Sequence, residues 1–300
     1  MKRFFVLILA AILVITLAEF RQRKEPGRES GENTIYSDIH YGKDEKQVMD
    51  IVMPHKDRAN GGVMLLIHGG AWVEGDKNNG YTEAFINKYS DSGYIIATMN
   101  YRLASGDISL KDMLDDIESS LNYIKGAAAQ NGISAGRAML IGWSSGGHLA
   151  EMYAYTRAEA ADIKVTCVTA YSGIADITDS SLYIDNPLDD ILKRPMTGVV
   201  SNLCGYGFTA ENLSDAKDYL AAASPITYAD RAVPTIICHS SIDTYVSYST
   251  AVNLKKALDE RGIDNCFIDF PKSGHDLLLD EDSLELSYEK LYEYAKKYLQ

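Results

Sequence analysis

The chain has 300 residues, of which 46% are hydrophobic and 24% charged, and its formal net charge at pH 7 is −13. A chain of this length and apolar content can bury one large core, and α/β folds of this size are often single domains. Such an acidic surface repels polyanions, so the composition disfavours nucleic acid as a partner.

The N-terminal segment differs from the rest of the chain. Basic residues at positions 2 and 3 precede an apolar run from Phe4 to Ala18, which is the order found in export signals. The run is short for a membrane span, and basic residues follow it directly, so charge does not fix its orientation. We predict that residues 1–28 are a signal peptide or signal anchor plus tether, with a membrane tether through residues 4–20. Residues 29–300 would then lie outside the cytoplasm, secreted or membrane-anchored; a cytoplasm-facing anchor is the alternative.

Beyond this segment, apolar strand-like runs alternate with helical stretches. This alternation predicts an α/β fold with a mostly parallel central sheet flanked by helices. The first two strands, joined by residues 41–45, are predicted to form an antiparallel hairpin at one edge. The predicted strands are 34–41, 48–53, 63–67, 94–99, 138–141, 164–170, 234–238 and 266–270. The predicted helices are 82–91, 110–126, 147–159, 249–261 and 283–299.

The strand at 63–67 runs directly into His68-Gly69-Gly70-Ala71-Trp72. A loop of small residues lets backbone N–H groups approach a ligand closely. Open α/β sheets bind their ligands at the C-terminal ends of their strands, where this loop lies. The loop is therefore a candidate for holding a developing negative charge.

The strand at 138–141 runs into Gly142-Trp143-Ser144-Ser145-Gly146, which a helix follows. This strand–turn–helix context is typical of a nucleophile elbow, in which small residues on both sides leave room for a strained serine. Ser144 is the predicted nucleophile, and Ser145 is an alternative that lies off the glycine frame. The alternative without a catalytic role is a glycine-rich turn that carries a solvated serine.

Residues 177–224 interrupt the alternation. The segment is too long for an ordinary connection, and its aromatic and aliphatic residues exceed what a solvated linker needs. We predict a small helical cap over Ser144; the alternative is a structural excursion that packs elsewhere.

Two polar residues follow the last two predicted strands. Asp243 comes shortly after 234–238, and His275 comes shortly after 266–270. Together with Ser144 they give the order serine, acid, histidine, with each residue just past a strand end. Neutral imidazole can take the serine proton, and a carboxylate orients the imidazole. The competing acids are Asp176, Asp269 and Asp276.

These motifs resemble those of the α/β-hydrolase fold carboxylesterases with a His-Gly-Gly-Gly motif, which include hormone-sensitive-lipase-like and acetyl-xylan or feruloyl esterase-like proteins. The resemblance covers nearly all of residues 36–299. It implies that the backbone N–H groups of Gly70, Ala71 and Ser145 form an oxyanion hole. Ala71 departs from the family's usual glycine but keeps its N–H, and it is suitable unless that position requires a positive φ.

We therefore predict a serine hydrolase that cleaves carboxylic esters of small or sugar-linked acyl groups. The expected partner is a small-molecule or carbohydrate ester, and no cofactor or metal is expected because the cysteines lack metal-ligand spacing. Trp72 and Trp143 are expected to wall the acyl pocket, with simple packing as the alternative. The alternative functions are an arylformamidase or small peptidase on the same fold, or a non-catalytic binding protein.

Overall fold

The computed structural model of the protein describes residues 32–300. Its central element is an eight-stranded sheet with the order β1-β2-β4-β3-β5-β6-β7-β8. The strands are β1 (Thr34–His40), β2 (Val48–Met53), β3 (Gly62–Ile67), β4 (Ile95–Met99), β5 (Arg137–Trp143), β6 (Lys164–Tyr171), β7 (Thr235–His239) and β8 (Asn265–Asp269). β1 pairs antiparallel with β2, and β2 pairs antiparallel with β4, whereas every other pair is parallel. The predicted mostly parallel sheet and the predicted edge hairpin are both confirmed.

Helices cover both faces of this sheet. The α-helices are α1 (Gly80–Tyr89), α2 (Leu110–Gln130), α3 (Ser145–Thr156), α4 (Leu188–Leu192), α5 (Met196–Cys204), α6 (Lys217–Ala222), α7 (Tyr248–Glu260) and α8 (Glu281–Tyr298). Short 3-10 helices lie at Ser180–Leu182, Ala210–Ala216 and Pro225–Arg231. The observed helix starts differ from the predicted ones by at most two residues; α3, for example, begins directly after Ser144 rather than at residue 147. Ser144 is the single residue between the end of β5 and the start of α3, so no separate loop joins them.

The two faces of the sheet belong to two hydrophobic cores, because successive side chains of a strand point to opposite faces. Leu65 and Ile67 of β3 belong to the larger core, which also contains the buried faces of α2, α3 and α7. Met64 and Leu66 belong to the smaller core with α1 and α8. Buried on both faces, β3 and its neighbours read as continuous apolar runs, which made them recognisable in the sequence.

The segment 177–224 is helical, as predicted, and it belongs to the larger core. Its buried apolar side chains include Leu182, Val200, Leu203 and Leu220. The Asn186 side-chain amide donates to the backbone carbonyl of Tyr245 at 2.8 Å. The segment, called the insertion below, is thereby fastened to the loop after β7. Its predicted role as a cap over Ser144 stays a prediction.

The predicted export signal or anchor falls on residues that lie outside the described part of the chain. Within residues 32–300, none of the helices combines the length and the hydropathy that crossing a bilayer requires.

Candidate active site

Ser144 occupies the sharp turn between β5 and α3. Its φ of 53° lies in the left-handed region, which is costly for a non-glycine residue and typical of functional sites. A Cβ atom on Gly142 would lie 2.2 Å from the carbonyl oxygen of Gly146, and one on Gly146 would lie 2.2 Å from that of Ile67. The two glycines are therefore required for the turn to pass between its neighbours, as the elbow motif predicts.

The three predicted triad side chains converge. Nε2 of His275 lies 2.9 Å from Oγ of Ser144, and Nδ1 of His275 lies 2.7 Å from Oδ2 of Asp243. Because an ionised carboxylate only accepts hydrogen bonds, Nδ1 carries the ring proton and Nε2 accepts from the serine hydroxyl. This is the geometry that lets an imidazole withdraw the proton of a serine.

Asp243 is held in its ionised form by its surroundings. Its side chain is fully buried, and Oδ1 accepts hydrogen bonds from the backbone N–H groups of Tyr245 at 2.8 Å and Val246 at 3.1 Å. Burial alone would raise the pKa of this carboxyl. The hydrogen bond and charge interaction with His275, together with the Tyr245 N–H, outweigh burial and hold the pKa below its ordinary value.

The competing assignments do not form this network. Within the described residues, Asp243 is the acid that hydrogen-bonds to His275, whereas Asp176 accepts from the backbone and hydroxyl of Thr178. The side chain of Asp276 accepts from the nearby backbone N–H of Leu278 at 3.3 Å, and Asp269 ends β8. Oγ of Ser145 is buried and has no hydrogen-bond partner among residues 32–300, which argues against Ser145 as the nucleophile.

Two residues that the sequence analysis missed support the triad. The hydroxyl of Ser172, at the end of β6, donates to the backbone carbonyl of His275 at 2.8 Å. Ser172 itself is buried and has a φ of 48°. The sequence signal that could have identified it is the Ser172-Gly173 pair, which follows a strand and therefore lies at the same sheet edge as the other site residues.

The second is His239 at the end of β7. Its Nε2 lies 3.1 Å from the backbone carbonyl of Val246 and 3.5 Å from Oδ2 of Asp243. Burial lowers the pKa of His239 and outweighs the opposing charge of Asp243, so the ring stays neutral beside the carboxylate. A neutral ring leaves the negative charge of Asp243 available to His275.

The loop after β3 packs directly against the elbow. A Cβ atom on Gly69 would lie 3.2 Å from Cβ of Ser144 and 2.9 Å from the carbonyl oxygen of Trp143. β3 and β5 are neighbours in the sheet, with Ile67 opposite Gly142, so the two motifs leave the sheet side by side.

Three successive residues of this loop, 70–72, have positive φ. The values are 118° for Gly70, 49° for Ala71 and 62° for Trp72. Position 71 therefore adopts the left-handed region. This is the one condition under which an alanine is expected to be strained there. A left-handed alanine costs roughly 1–2 kcal/mol, so Ala71 keeps its N–H at the expense of backbone strain.

The predicted oxyanion donors are free of protein partners. No carbonyl or side chain among residues 32–300 accepts a hydrogen bond from the N–H of Gly70, Ala71 or Ser145. The N–H of Ser145 is also the first of α3, where the helix dipole favours negative charge. Their role as oxyanion donors stays a prediction, which this availability supports.

The predicted substrate contact of Trp72 requires correction. Trp72 has an exposed fraction of 0%, and its indole N–H donates to Nδ1 of His148 at 3.1 Å. A side chain without exposed surface packs rather than touches substrate. Trp143 is half-buried and stacks between Tyr81 and Tyr171, so its place in a pocket wall stays a prediction.

The fold and this site define a class, the α/β hydrolases with a serine at a nucleophile elbow. The BD-FAE family model matches residues 49–258, and the chain belongs to this family of α/β-hydrolase esterases. Within the described residues, no group of histidine, cysteine and acidic side chains is arranged to hold a metal ion.

A curated relative of the chain is also named as an esterase. The chain is 22% identical over 274 residues to the probable isoprenylcysteine alpha-carbonyl methylesterase ICME of Oryza sativa subsp. japonica, covering 86% of this chain. The match spans 62% of the length of that curated relative.

Solved structures show the same fold. A truncated carbohydrate esterase from gut microbiota matches with a TM-score of 0.71 at 18% identity, covering 91% of this chain and 100% of that chain. Esterase B from Lactobacillus rhamnosis matches with a TM-score of 0.69 at 20% identity, covering 97% and 94%.

Proposed function

We propose that the protein is a serine esterase that cleaves carboxylic esters of small or sugar-linked acyl groups through an acyl-enzyme. The observation that carries this proposal is the unbroken chain of short contacts from Ser144 through His275 to the buried carboxylate of Asp243. A serine hydroxyl becomes an effective nucleophile only when an adjacent base can take its proton, and this arrangement provides one.

In the proposed reaction, Oγ of Ser144 attacks the ester carbonyl carbon while its proton passes to Nε2 of His275. Asp243 stabilises the imidazolium that forms and fixes the ring orientation. The carbonyl oxygen, now negatively charged, accepts hydrogen bonds from the N–H groups of Gly70, Ala71 and Ser145. His275 then gives its proton to the leaving alkoxide, which departs as the alcohol.

Deacylation repeats these steps with water. His275 removes a proton from a water molecule, which attacks the acyl carbonyl, and the proton returns to Oγ of Ser144 as the carboxylic acid leaves. Every proton moves between Ser144, His275, the substrate and water, so the cycle needs no reactant other than the ester and water.

The proposed substrate class is supported by the relatives and by charge. A carbohydrate esterase and an isoprenylcysteine methylesterase are among the similar proteins; the first name describes a carbohydrate ester and the second a methyl ester. The net charge of −13 disfavours strongly anionic substrates and is compatible with neutral esters.

The test uses a fluorophosphonate probe together with a substrate panel. We expect the wild type to be labelled and to turn over at least one of acetyl, butyryl and feruloyl esters, whereas Ser144→Ala is neither labelled nor active. Ser145→Ala is the matched control and should keep its labelling. A folded wild type that resists the probe would favour a non-catalytic binding protein, and faster cleavage of formyl-anilides or peptides would favour the amidase alternatives.

We also propose that the N-terminal segment exports or anchors the enzyme, so that residues 29–300 act outside the cytoplasm. The support is the order of basic and apolar residues at positions 2–18. Cell fractionation of the full chain and of a form lacking residues 1–28 tests this. Recovery of both forms in the same soluble cytoplasmic fraction would contradict the proposal.

A further inference from the structure

A buried imidazole lies behind the oxyanion loop, which we define as residues 68–72. His148 is in the first turn of α3 and has an exposed fraction of 0%. The indole N–H of Trp72 donates to its Nδ1 at 3.1 Å, and its Nε2 lies 2.8 Å from the backbone carbonyl of Ala223. Because a carbonyl only accepts, Nε2 carries the proton and Nδ1 offers its lone pair to Trp72.

The ring is therefore neutral, with both nitrogens satisfied by different parts of the fold. Burial lowers the pKa of His148 to about 4, although the hydrogen bond to Ala223 opposes this shift. A protonated ring could not accept from Trp72, so the neutral form is the one that this geometry requires.

The oxyanion loop needs such an anchor because its backbone is strained. Residues 70–72 all have positive φ, and such conformations persist only where surrounding contacts fix them. Trp72 is the last of the three. Its carbonyl accepts the N–H of Ala104 at 2.7 Å, and its side chain is fixed by His148. The N–H of Ala71, a predicted oxyanion donor, precedes this doubly anchored residue.

The other side of the ring faces the insertion. Ala223 directly follows α6, the last helix of the insertion. His148 thus bridges two segments that are far apart in sequence, the loop after β3 and the end of the insertion. His148 lies four residues after Ser144, so this bridge is part of the helix that directly follows the predicted nucleophile.

We propose that His148 is a positioning residue that ties the oxyanion loop to the end of the insertion and keeps the N–H of Ala71 aimed at the reacting carbonyl. This inference rests on the proposed serine esterase function. His148 has no exposed surface, so it acts through Trp72 rather than on the substrate. Because oxyanion contacts strengthen in the transition state, its loss lowers kcat and leaves KM nearly unchanged.

Two amide substitutions separate the two hydrogen bonds of the ring. In His148→Asn, the side-chain oxygen can take the place of Nδ1 and still accept from Trp72. In His148→Gln, the side-chain NH₂ can take the place of Nε2 and still donate to the carbonyl of Ala223. Each variant loses one buried hydrogen bond, so the two are matched for structural cost.

We expect His148→Gln to lower kcat for an acetyl ester by about tenfold or more, with KM within about twofold, since small misplacements of catalytic groups are expensive. His148→Asn should stay within about threefold of the wild-type kcat because it keeps the anchor on Trp72.

Trp72→Phe, which removes the same hydrogen bond from the opposite side, should match His148→Gln. In the double variant Trp72→Phe/His148→Gln, the second substitution should cost less than about twofold, because the bond is already absent.

Equal losses in the Asn and Gln variants, or losses that multiply in the double variant, would overturn the inference and make His148 an ordinary core residue. If His148→Gln does not fold, Trp72→Phe decides, and a wild-type kcat in that variant overturns the inference. Fluorophosphonate labelling of the wild type in the same experiment reports on the proposed function separately. An unreactive wild type would contradict the proposed esterase function and, with it, the proposed role of His148.

Discussion

The two carboxylate oxygens of Asp243 have different partners, and the difference matters for catalysis. Oδ2 faces the imidazole of His275, whereas Oδ1 is fixed by two backbone N–H groups of its own loop. The loop thus fixes the direction of the carboxylate through contacts that do not involve His275. A substitution that keeps the shape of this side chain but replaces one accepting oxygen with a donating NH₂ therefore separates orientation from charge.

Asp243→Asn should lower kcat by about 10³- to 10⁴-fold, because an amide that donates to Nδ1 forces the ring proton onto Nε2. In that tautomer the ring cannot accept the proton of Ser144. Ester hydrolysis and fluorophosphonate labelling rates measure the loss. Asp276→Asn is the control and should stay within about twofold of the wild type, because Asp276 is exposed and its side chain accepts from the backbone of Leu278 in its own loop. Comparable losses in both variants would contradict the assignment of the acid.

The strain at Ala71 gives a second prediction at this scale. Ala71→Gly should raise the free energy of unfolding by about 0.5–1 kcal/mol, because glycine tolerates a φ of 49° without the steric cost that alanine carries. Urea unfolding measures the change. The control is Gly70→Ala, which should destabilise the protein, since its Cβ would lie 2.1 Å from the carbonyl oxygen of Glu74. A less stable Ala71→Gly variant would show that the methyl group packs usefully enough to offset the strain.

At the scale of elements, α3 carries an unusual set of polar residues on buried positions. Ser144 precedes it, and both His148 and Glu151 lie within its first two turns. Glu151 is 1% exposed, and its Oε2 has no hydrogen-bond partner among residues 32–300. Burial raises the pKa of Glu151 to about 8, so the carboxyl is largely neutral at pH 7.

This raised pKa predicts a pH-dependent stability. Between about 4.5, the ordinary value, and about 8, the native state holds a proton that the unfolded state has released. Stability should therefore fall as the pH rises through this window, by up to about 1.4 kcal/mol per pH unit from this group. Glu151→Gln should remove that slope and be more stable than the wild type at pH 8. Urea unfolding at pH 5 and pH 8 checks this, and equal pH dependence in the two proteins would contradict it.

The sequence predicted the elements well because the central strands, such as β3 and β4, are continuous apolar runs. Ser144, Asp243 and His275 could be predicted because each follows such a run. The supporting contacts of Ser172, His239 and His148 could not, since they depend on how distant strand ends approach one another. The burial of Trp72 could not be predicted either, because its side chain contacts His148 of α3, which is distant in the sequence.

At the scale of the whole molecule, the insertion shares the larger core with the sheet. Val200 and Leu203 have exposed fractions of 0% and 1%, and they belong to the same cluster of buried side chains as β3 and α3. A segment whose apolar side chains lie in the main core is expected to unfold together with it. Residues Asn33–Gln300 accordingly form one compact unit.

We therefore predict that the insertion does not open as an independent lid. Hydrogen exchange at low urea, where local and global opening are distinguishable, should give the slowest amides of α5 and β5 free energies of opening that agree within about 1 kcal/mol. Exchange of α1, which belongs to the other core, provides the comparison. An α5 that exchanges at a free energy several kcal/mol lower than β5 would mean that the insertion moves separately.

The direct pairing of β3 with β5 has a consequence for refolding. Because Ile67 lies opposite Gly142, a slip of one residue between these strands would displace the oxyanion loop from Ser144 by about 3.3 Å and reverse which side chains meet each core. A misaligned sheet could retain its circular dichroism and still be unable to react. Recovery of probe labelling, compared with recovery of secondary structure, would therefore count the molecules whose strands have found their proper alignment.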